Sequence, residues 1–523
     1  MPWKVRAGRY SCSLSSAPSL GRGSMAPIFR QGIALSAARY IEQVTMLLTP
    51  VVLVRTIGPT SFGEYRLFWL LVSTVALLIS FDMPRSLLFF FVRLDSQGRR
   101  LYVGQTVLFL LATTMVATLL IFVFGEALPS GMKDLLHEHG FLLAAFLLVW
   151  NFGLLLDVLP NAAGQVRWQA QAILITSVLR TALIVSAAVV FQRIEAVLVA
   201  ALIAACMRLG LLAYFIARYC GIRLFPLDKQ QFRAQLRYAL PFGVAVLLWS
   251  MRKQAEQWIV ATVFSSREFG IFSVATTLLM PFGVLRDVLG NLLLPKMSHL
   301  HSLGRHEELL RLNNQGNVII SAVMFPAIAA LFAFSDEVIQ FLFTKEYVSG
   351  SPVLRIYLVQ TLISAEMTTL LNVFRQGSAN MRYEASILPF AVITSLVGAW
   401  YFGLPGAAIG SALATFVWYT LCLRRLSNVM DVPVARLQDW KNLGIIWSVS
   451  AVCALVVRVS ADLLKPSVPI AAIVGPAAVL VLYAAIVFVT GYYRTLAEMR
   501  RFDVPESNDH LPTRQVTVVS TRS

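Results

Sequence analysis

Charged side chains recur inside long apolar stretches of this 523-residue chain, and their placement is where chemistry could be done. The basic set is Arg39, Arg85, Arg180, Arg208, Arg252, Lys253, Arg286 and Arg458; the acidic set is Glu42, Asp82, Asp157, Glu256, Asp287 and Glu366. A charge at the centre of a bilayer costs about 2.5–3.5 kcal/mol on insertion scales, so it persists only with a partner, a wet cavity or a task. Spacing supplies some partners. Arg39 with Glu42 and Asp82 with Arg85 are i,i+3, and Arg252 with Glu256 is i,i+4, so each pair shares a helix face. Arg286 and Asp287 are adjacent and point apart. Local pairing leaves Arg180, Arg208, Lys253, Arg286 and Arg458 as cations without partners, of which Arg458, near a helix end, can snorkel. Arg180 and Lys253 lie near mid-helix, one in each half of the chain. Interhelix salt bridges would account for any one of these residues. The set as a whole predicts a hydrated, modestly cationic cavity, because unpaired cations facing lipid are too costly. Arg39, Arg180, Arg252, Lys253 and Arg286 are its expected binding cations. Glu42, Asp82, Glu256, Asp287 and Glu366 are the acids available for ion coupling or for pairing. Such a cavity suits a large anionic or polar ligand and suits an organic cation poorly.

Other chemistry is excluded by its missing parts. Gly58-Pro59-Thr60-Ser61-Phe62-Gly63 has the two glycines of a phosphate-cradling loop, but Glu64-Tyr65 follows where Lys-Ser/Thr is needed. There is no G-x-S-x-G elbow and no positioned acid–base pair. His299, His301 and His306 share one loop with Lys296, Arg305, Glu307 and Glu308, which reads as a solvated face and not as a metal site. The five cysteines are scattered without a pairing pattern. No cofactor, metal or catalytic residue is expected, and the chain reads as a non-enzyme.

The elements that must carry these charges are membrane helices. The chain is 57% hydrophobic and 14% charged, with a mean hydropathy of +0.71, against roughly 25% charged in soluble domains. Spans of roughly 20 apolar residues fall near 33–57, 66–92, 101–124, 140–160, 168–191, 194–217, 238–264, 269–295, 315–334, 352–374, 383–402, 404–423, 443–462 and 469–491. The reading is thus an all-α integral membrane protein of about fourteen transmembrane helices. Prolines 50, 84, 241 and 281, in the first two helices of each half, are expected bends. Most of the 44 Lys and Arg residues lie in the tails and even-numbered loops, which places both termini in the cytoplasm. The net charge of +17 is therefore assigned to cytoplasmic loops and not to nucleic-acid binding. The outer loops are short, with no room for a folded domain. Residues 1–29 read as a disordered cytoplasmic tail or as an overextended start before Met25. Leu227 to Tyr238 reads either as a short amphipathic helix on the cytoplasmic interface or as a plain linker.

The chain also repeats. Phe62-Gly63 in the first interhelix loop aligns with Phe269-Gly270 at an offset of 207 residues, and Ser96-Gln97-Gly98-Arg99 with Ser302-Leu303-Gly304-Arg305 at 206. Six helices separate the copies, so both insert with the same orientation, the parallel-repeat plan of some secondary transporters. The expected organisation is an N-lobe (30–218), a cytoplasmic interfacial linker (219–237), a C-lobe (238–426), two further helices (427–492) and a cytoplasmic tail (493–523). The two six-helix lobes are related by a pseudo-two-fold axis along the membrane normal.

Four segments carry a resemblance: RTIGPTSFGEYRLFWLL, TVFSSREFGIFSVATTL, RYALPFGVAVLLWSMRKQAEQWIV and LPGAAIGSALAT. Through them the chain resembles the polysaccharide-transporter branch of the multidrug/oligosaccharidyl-lipid/polysaccharide exporter superfamily, the O-antigen flippase type. The similarity spans roughly residues 30–490. It implies a V-shaped pair of lobes in the bacterial inner membrane, moving lipid-linked glycan to the periplasmic leaflet by alternating access. It also implies a cationic lumen for the lipid pyrophosphate and sugars, with Arg39, Arg180, Arg252, Lys253 and Arg286 on compatible helices. The partners then expected are the glycan substrate, the bilayer, a coupling Na⁺ or H⁺, and glycan polymerases or glycosyltransferases. A cation-coupled drug or metabolite exporter and a membrane-embedded polymerase or glycosyltransferase are the competing readings.

Overall fold

The computed structural model describes residues 25–220, 228–363 and 368–500. Among the described residues there are helices and no strands, as lipid demands of a backbone that must satisfy its own hydrogen bonds. Two compact units emerge, Met1–Leu247 and Leu248–Ser523. The first holds α1 (Met25–Ser80), α2 (Met83–Phe90), α3 (Ser96–Val123), α4 (Ser130–Gly153), α5 (Leu159–Ala162), α6 (Val166–Phe191) and α7 (Ile194–Phe215). The division falls inside α8 (Lys229–Val263). The second unit continues with α9 (Ser266–Thr277), α10 (Met280–Ser302), α11 (His306–Ala333), α12 (Ser335–Leu342) and α13 (Ser351–Ile363). It ends with α14 (Thr368–Val373), α15 (Gly377–Met430), α16 (Trp440–Leu464), α17 (Val468–Val489) and α18 (Tyr492–Arg500).

Nine helical segments among the described residues are long and apolar enough to cross a membrane, and the bent pair α9–α10 makes a tenth. The chain is a multi-pass membrane protein. Two of the nine are much longer than one crossing. At 1.5 Å per residue, the 54 residues of α15 would run about 80 Å, against a hydrocarbon core of roughly 30 Å. Each is broken at one glycine: Gly58 in α1 (φ 77°, ψ 171°) and Gly403 in α15 (φ 65°, ψ −148°). Such backbone angles suit glycine alone. Pro59 and Pro405 then open the next helical run, where proline's fixed φ helps and its missing donor costs nothing.

Several boundaries differ from the sequence reading. The second helical run of α1 starts at Pro59 instead of 66, so Glu64 and Arg66 are helical and not in a loop. Burial of Phe62 and Tyr65 holds that early start. The run ends at Ser80, where Phe81 (φ 41°) and Asp82 (φ 57°) are left-handed before Pro84 opens α2. A 40° bend separates α9 from α10, whose first turn contains Pro281. Pro50 and Pro241, expected as bends, sit inside α1 and α8 with helical backbone around them. The span expected at 352–374 falls into α13 and α14, and Glu366 lies outside the described residues. Lys229 to Tyr238 form neither a linker nor a separate interfacial helix; they are the opening turns of α8. Gln235 there is fully buried and donates to Ser86 Oγ and Thr106 Oγ1, both at 2.9 Å.

Each unit has its own apolar core. In the first, Leu87, Phe91, Tyr102, Leu155 and Phe215 pack together. In the second, Leu289, Leu293, Met297, Leu309, Leu370 and Leu426 do so. The repeated Phe-Gly motif is a core element in both, with Phe62 and Phe269 fully buried within their own units. In the second copy Ser265 and Glu268 form a reciprocal capping box that starts α9, as the S-x-x-E spacing dictates.

Candidate functional site

Within the second unit lies a cavity of about 770 Å³ with walls from α8, α10, α13, α14 and α15. Helical periodicity explains its composition. On α8 the lining residues Trp249, Arg252, Lys253, Glu256 and Gln257 follow the i, i+3, i+4, i+7, i+8 stripe of one helix face. On α10 Gly283, Arg286, Asp287, Gly290 and Asn291 repeat that spacing. Gly283 contributes room, since a Cβ there would meet nothing within 4 Å. These charges also keep α8 out of the set of segments apolar enough to cross by composition.

The charges of this cavity are committed to different degrees. Arg252 Nε donates to Glu384 on α15, and both side chains are nearly inaccessible (9% and 2%). Its guanidinium also lies 5.4 Å from the Trp418 ring. The i,i+4 pairing expected between Arg252 and Glu256 is therefore replaced by a longer-range one. Glu256 lies against Tyr357 and Ser411, and its Oε2 is buried with no hydrogen-bond partner among the described residues. Arg286 Nη2 donates to the Thr361 carbonyl. Lys253 is exposed to the cavity, with Nζ 4.1 Å from the Trp249 ring centre. Asp287, Asn291 and Asn372 are exposed to it as well.

The first unit links its charges in a chain, Glu42–Arg39–Asp157–Arg208. Arg39 donates to Glu42 at 3.0 Å and to Asp157 at 3.2 Å. Asp157 also accepts from Arg208 Nη2, while Arg208 Nε reaches the Gly153 carbonyl at 3.1 Å. The Trp150 ring lies 5.0 Å from the Arg208 guanidinium. Arg208, expected without a partner, is thus among the most enclosed ions of this unit. Gly153 makes the approach possible, since a Cβ there would stand 3.2 Å from Arg208 Nε. Arg180 lies within electrostatic range of Glu42, Asp157 and Arg208 and lines a cavity of about 340 Å³ beside α7. Asp82 pairs with Arg85 at 3.4 Å, as its spacing predicts. In the second unit Arg458 does not snorkel. It bonds Glu337 at 2.6 Å and Asp462 at 3.1 Å.

Of the expected cations, Arg252, Lys253 and Arg286 share the cavity of the second unit with Glu256 and Asp287, whereas Arg39 and Arg180 belong to the first unit with Glu42 and Asp82. Sequence reasoning missed Glu384, which follows Arg382 closely and reads as part of a helix end. It also missed Trp249, Asn291 and Asn372. Extending the helical stripe by four residues from Lys253 or Asp287 points to the first two.

Residues 28–301 match the family model described as polysaccharide biosynthesis protein. The fold is similar to that of a lipid II flippase, MurJ, in its inward closed conformation, with a TM-score of 0.68 and 14% identity over 89% of this chain and 100% of that one. It is also similar to an inward-facing multidrug resistance MATE family transporter of the MOP superfamily, with a TM-score of 0.62 and 16% identity over 74% of this chain and 96% of that one. At these identities the likeness is one of fold. Comparison by sequence with curated proteins finds no match.

Proposed function

This chain belongs to the family of polysaccharide biosynthesis proteins, and from that premise we propose that it flips lipid-linked oligosaccharide from the cytoplasmic to the periplasmic leaflet of a bacterial inner membrane by alternating access. The observation that carries the reading is the 770 Å³ cavity whose polar, charged lining comes from the spanning helices of such a protein. Lipid-facing helices have no use for Lys253, Asp287 or Asn291; a hydrophilic passenger does. Arginines offer bidentate bonds to a pyrophosphate and lysine a point charge; Lys253, exposed to the cavity, is the proposed anion contact of this unit, with Arg252 and Arg286 adding positive charge beside it while bonded to Glu384 and the Thr361 carbonyl. Arg39 and Arg180 are proposed as its counterparts in the first unit. Both termini are proposed to be cytoplasmic, and the protein is proposed to act without catalytic groups.

The test is genetic and biochemical. Deleting the gene is expected to abolish surface polysaccharide and to accumulate lipid-linked glycan accessible only from the cytoplasmic face. Lys253→Ala and Arg180→Ala are expected to block display while the protein still inserts. Normal display in both single variants and the double variant removes the site assignment.

A second reading, a Na⁺- or H⁺-coupled drug or metabolite exporter, is supported by the fold shared with the MATE transporter. Glu42, Asp82 or Glu256 would then hold the coupling ion, the buried Oε2 of Glu256 being the best placed. A deletion strain that becomes drug-sensitive with its surface glycan intact favours this reading over the first.

A further inference from the structure

Four exposed polar side chains line the second unit's cavity: Lys253, Asp287, Asn291 and Asn372. None of the four makes a side-chain hydrogen bond or ion pair among the described residues. Lys253 has the π-face of Trp249, 4.1 Å away, and lies within electrostatic range of Asp287. Of the other charges lining the cavity, Arg252 is bonded to Glu384 and Arg286 to the Thr361 carbonyl, and Glu256 is half-buried against Tyr357 and Ser411. The cavity therefore exposes one cation, one anion and two primary amides, beside an indole that is 42% exposed. A pyrophosphate site needs convergent cations and is weakened by a carboxylate among them. A carboxylate and two amides with open hydrogen-bonding capacity match another chemistry, that of vicinal hydroxyl groups, which donate to the acid and exchange bonds with the amides. A flat aromatic at the same wall fits the C–H face of a pyranose, since its apolar body and polar edge suit a partner built the same way.

We propose that Asp287, Asn291, Asn372 and Trp249 form a sugar-recognition subsite, so that this unit reads a hydroxyl-rich sugar unit of the glycan and not its anionic link alone. Asp287 is then a specificity-determining ligand, with no part in ion coupling. Lys253, held over the indole, marks where the sugar subsite meets the cationic end. The cavity volume lies within the 300–1,000 Å³ range of small-molecule sites, which leaves room for both. The assignment rests on the flippase reading for the identity of the ligand, and its geometry stands on the cavity alone.

The experiment uses the full-length protein in nanodiscs. Lipid-linked glycan from the producing strain is cleaved from its carrier with mild acid, and the released, lipid-free glycan is titrated against the protein. Trp249 and Trp418 line the cavity, so intrinsic fluorescence reports occupancy. Saturable binding is expected, weakened at least tenfold by Asp287→Ala and by Asn291→Ala, and matched by no comparable response to inorganic pyrophosphate. Asp287→Asn keeps the side-chain shape and serves where the alanine variant does not fold; it is expected to weaken the sugar several-fold. Binding unchanged in all three variants, or a response to pyrophosphate alone, overturns the proposal. The flippase reading is scored separately, by glycan accumulation in the deletion strain. Accumulation with unaltered sugar binding in the variants sinks the subsite and spares the flippase; sugar binding lost in the variants without accumulation does the reverse.

Discussion

The two units spend similar charges in opposite ways. In the first, Asp157 is shared between Arg39 and Arg208, and Glu42 holds the far side of Arg39. In the second, one pair, Arg252 with Glu384, is sealed away, while Lys253 and Asp287 are exposed to the cavity. Ions that are partnered and enclosed join helix to helix; ions left open to a cavity between apolar helices cost free energy that structure does not return. The difference sets the enclosed Asp157–Arg208 and Arg252–Glu384 pairs apart from the exposed Lys253 and Asp287.

The sharpest way to break this distinction is Asp157→Ala. It strands Arg208, whose side chain is only 11% exposed, and removing one partner of a buried pair costs about 3–5 kcal/mol. The expected result is a large loss of folded protein, read as yield and thermal unfolding in detergent; an unfolding temperature like the parent's would show that this network holds nothing. Glu384→Ala is expected to destabilise by about 3 kcal/mol for the same reason. Combining Arg252→Met with Glu384→Leu should recover most of that stability without recovering glycan display, and a double variant that displays normally would move the pair out of the site. Lys253→Ala is the converse case: unfolding is expected to shift by less than about 0.5 kcal/mol, while display falls at least tenfold. Arg39→Gln should also have a small structural effect, about 1 kcal/mol or less in thermal unfolding, because its side chain is 41% exposed and accessible ion pairs are worth little.

Much of the fold was legible because its signals are local. Gly58-Pro59 and Gly403 with Pro405 punctuate long apolar runs, and the expected boundaries at 57 and 402–404 fall on those breaks. The i,i+3 pairs Arg39–Glu42 and Asp82–Arg85 also follow from spacing alone. What escaped was long-range. Arg208 with Asp157 spans 51 residues and Arg252 with Glu384 spans 132, and nothing in periodicity reports which distant helix will stand opposite. The same blindness made Arg458 look like a snorkelling residue when Glu337 was waiting 121 positions away. Local pairing rules overstate the intrahelical option wherever a better-enclosed carboxylate exists elsewhere, and Glu256 lost Arg252 on that account.

One wall of the cavity has a mechanical consequence. Ser411, Thr415 and Trp418 sit on the second run of α15, and that run meets the first through bare backbone. A Cβ on Gly406 would stand 1.9 Å from the Gly398 carbonyl oxygen, and one on Gly410 would stand 2.4 Å from the Ser395 backbone. Thr394 Oγ1 also donates to the Gly410 carbonyl at 3.0 Å across this seam, so contact this close is expected to make the two runs travel as a single plank. Widening of the chamber in this unit is then expected to come from walls other than α15, and spin labels on the two runs of α15 should hold their spacing while the gaps from α15 to α8 and α10 breathe.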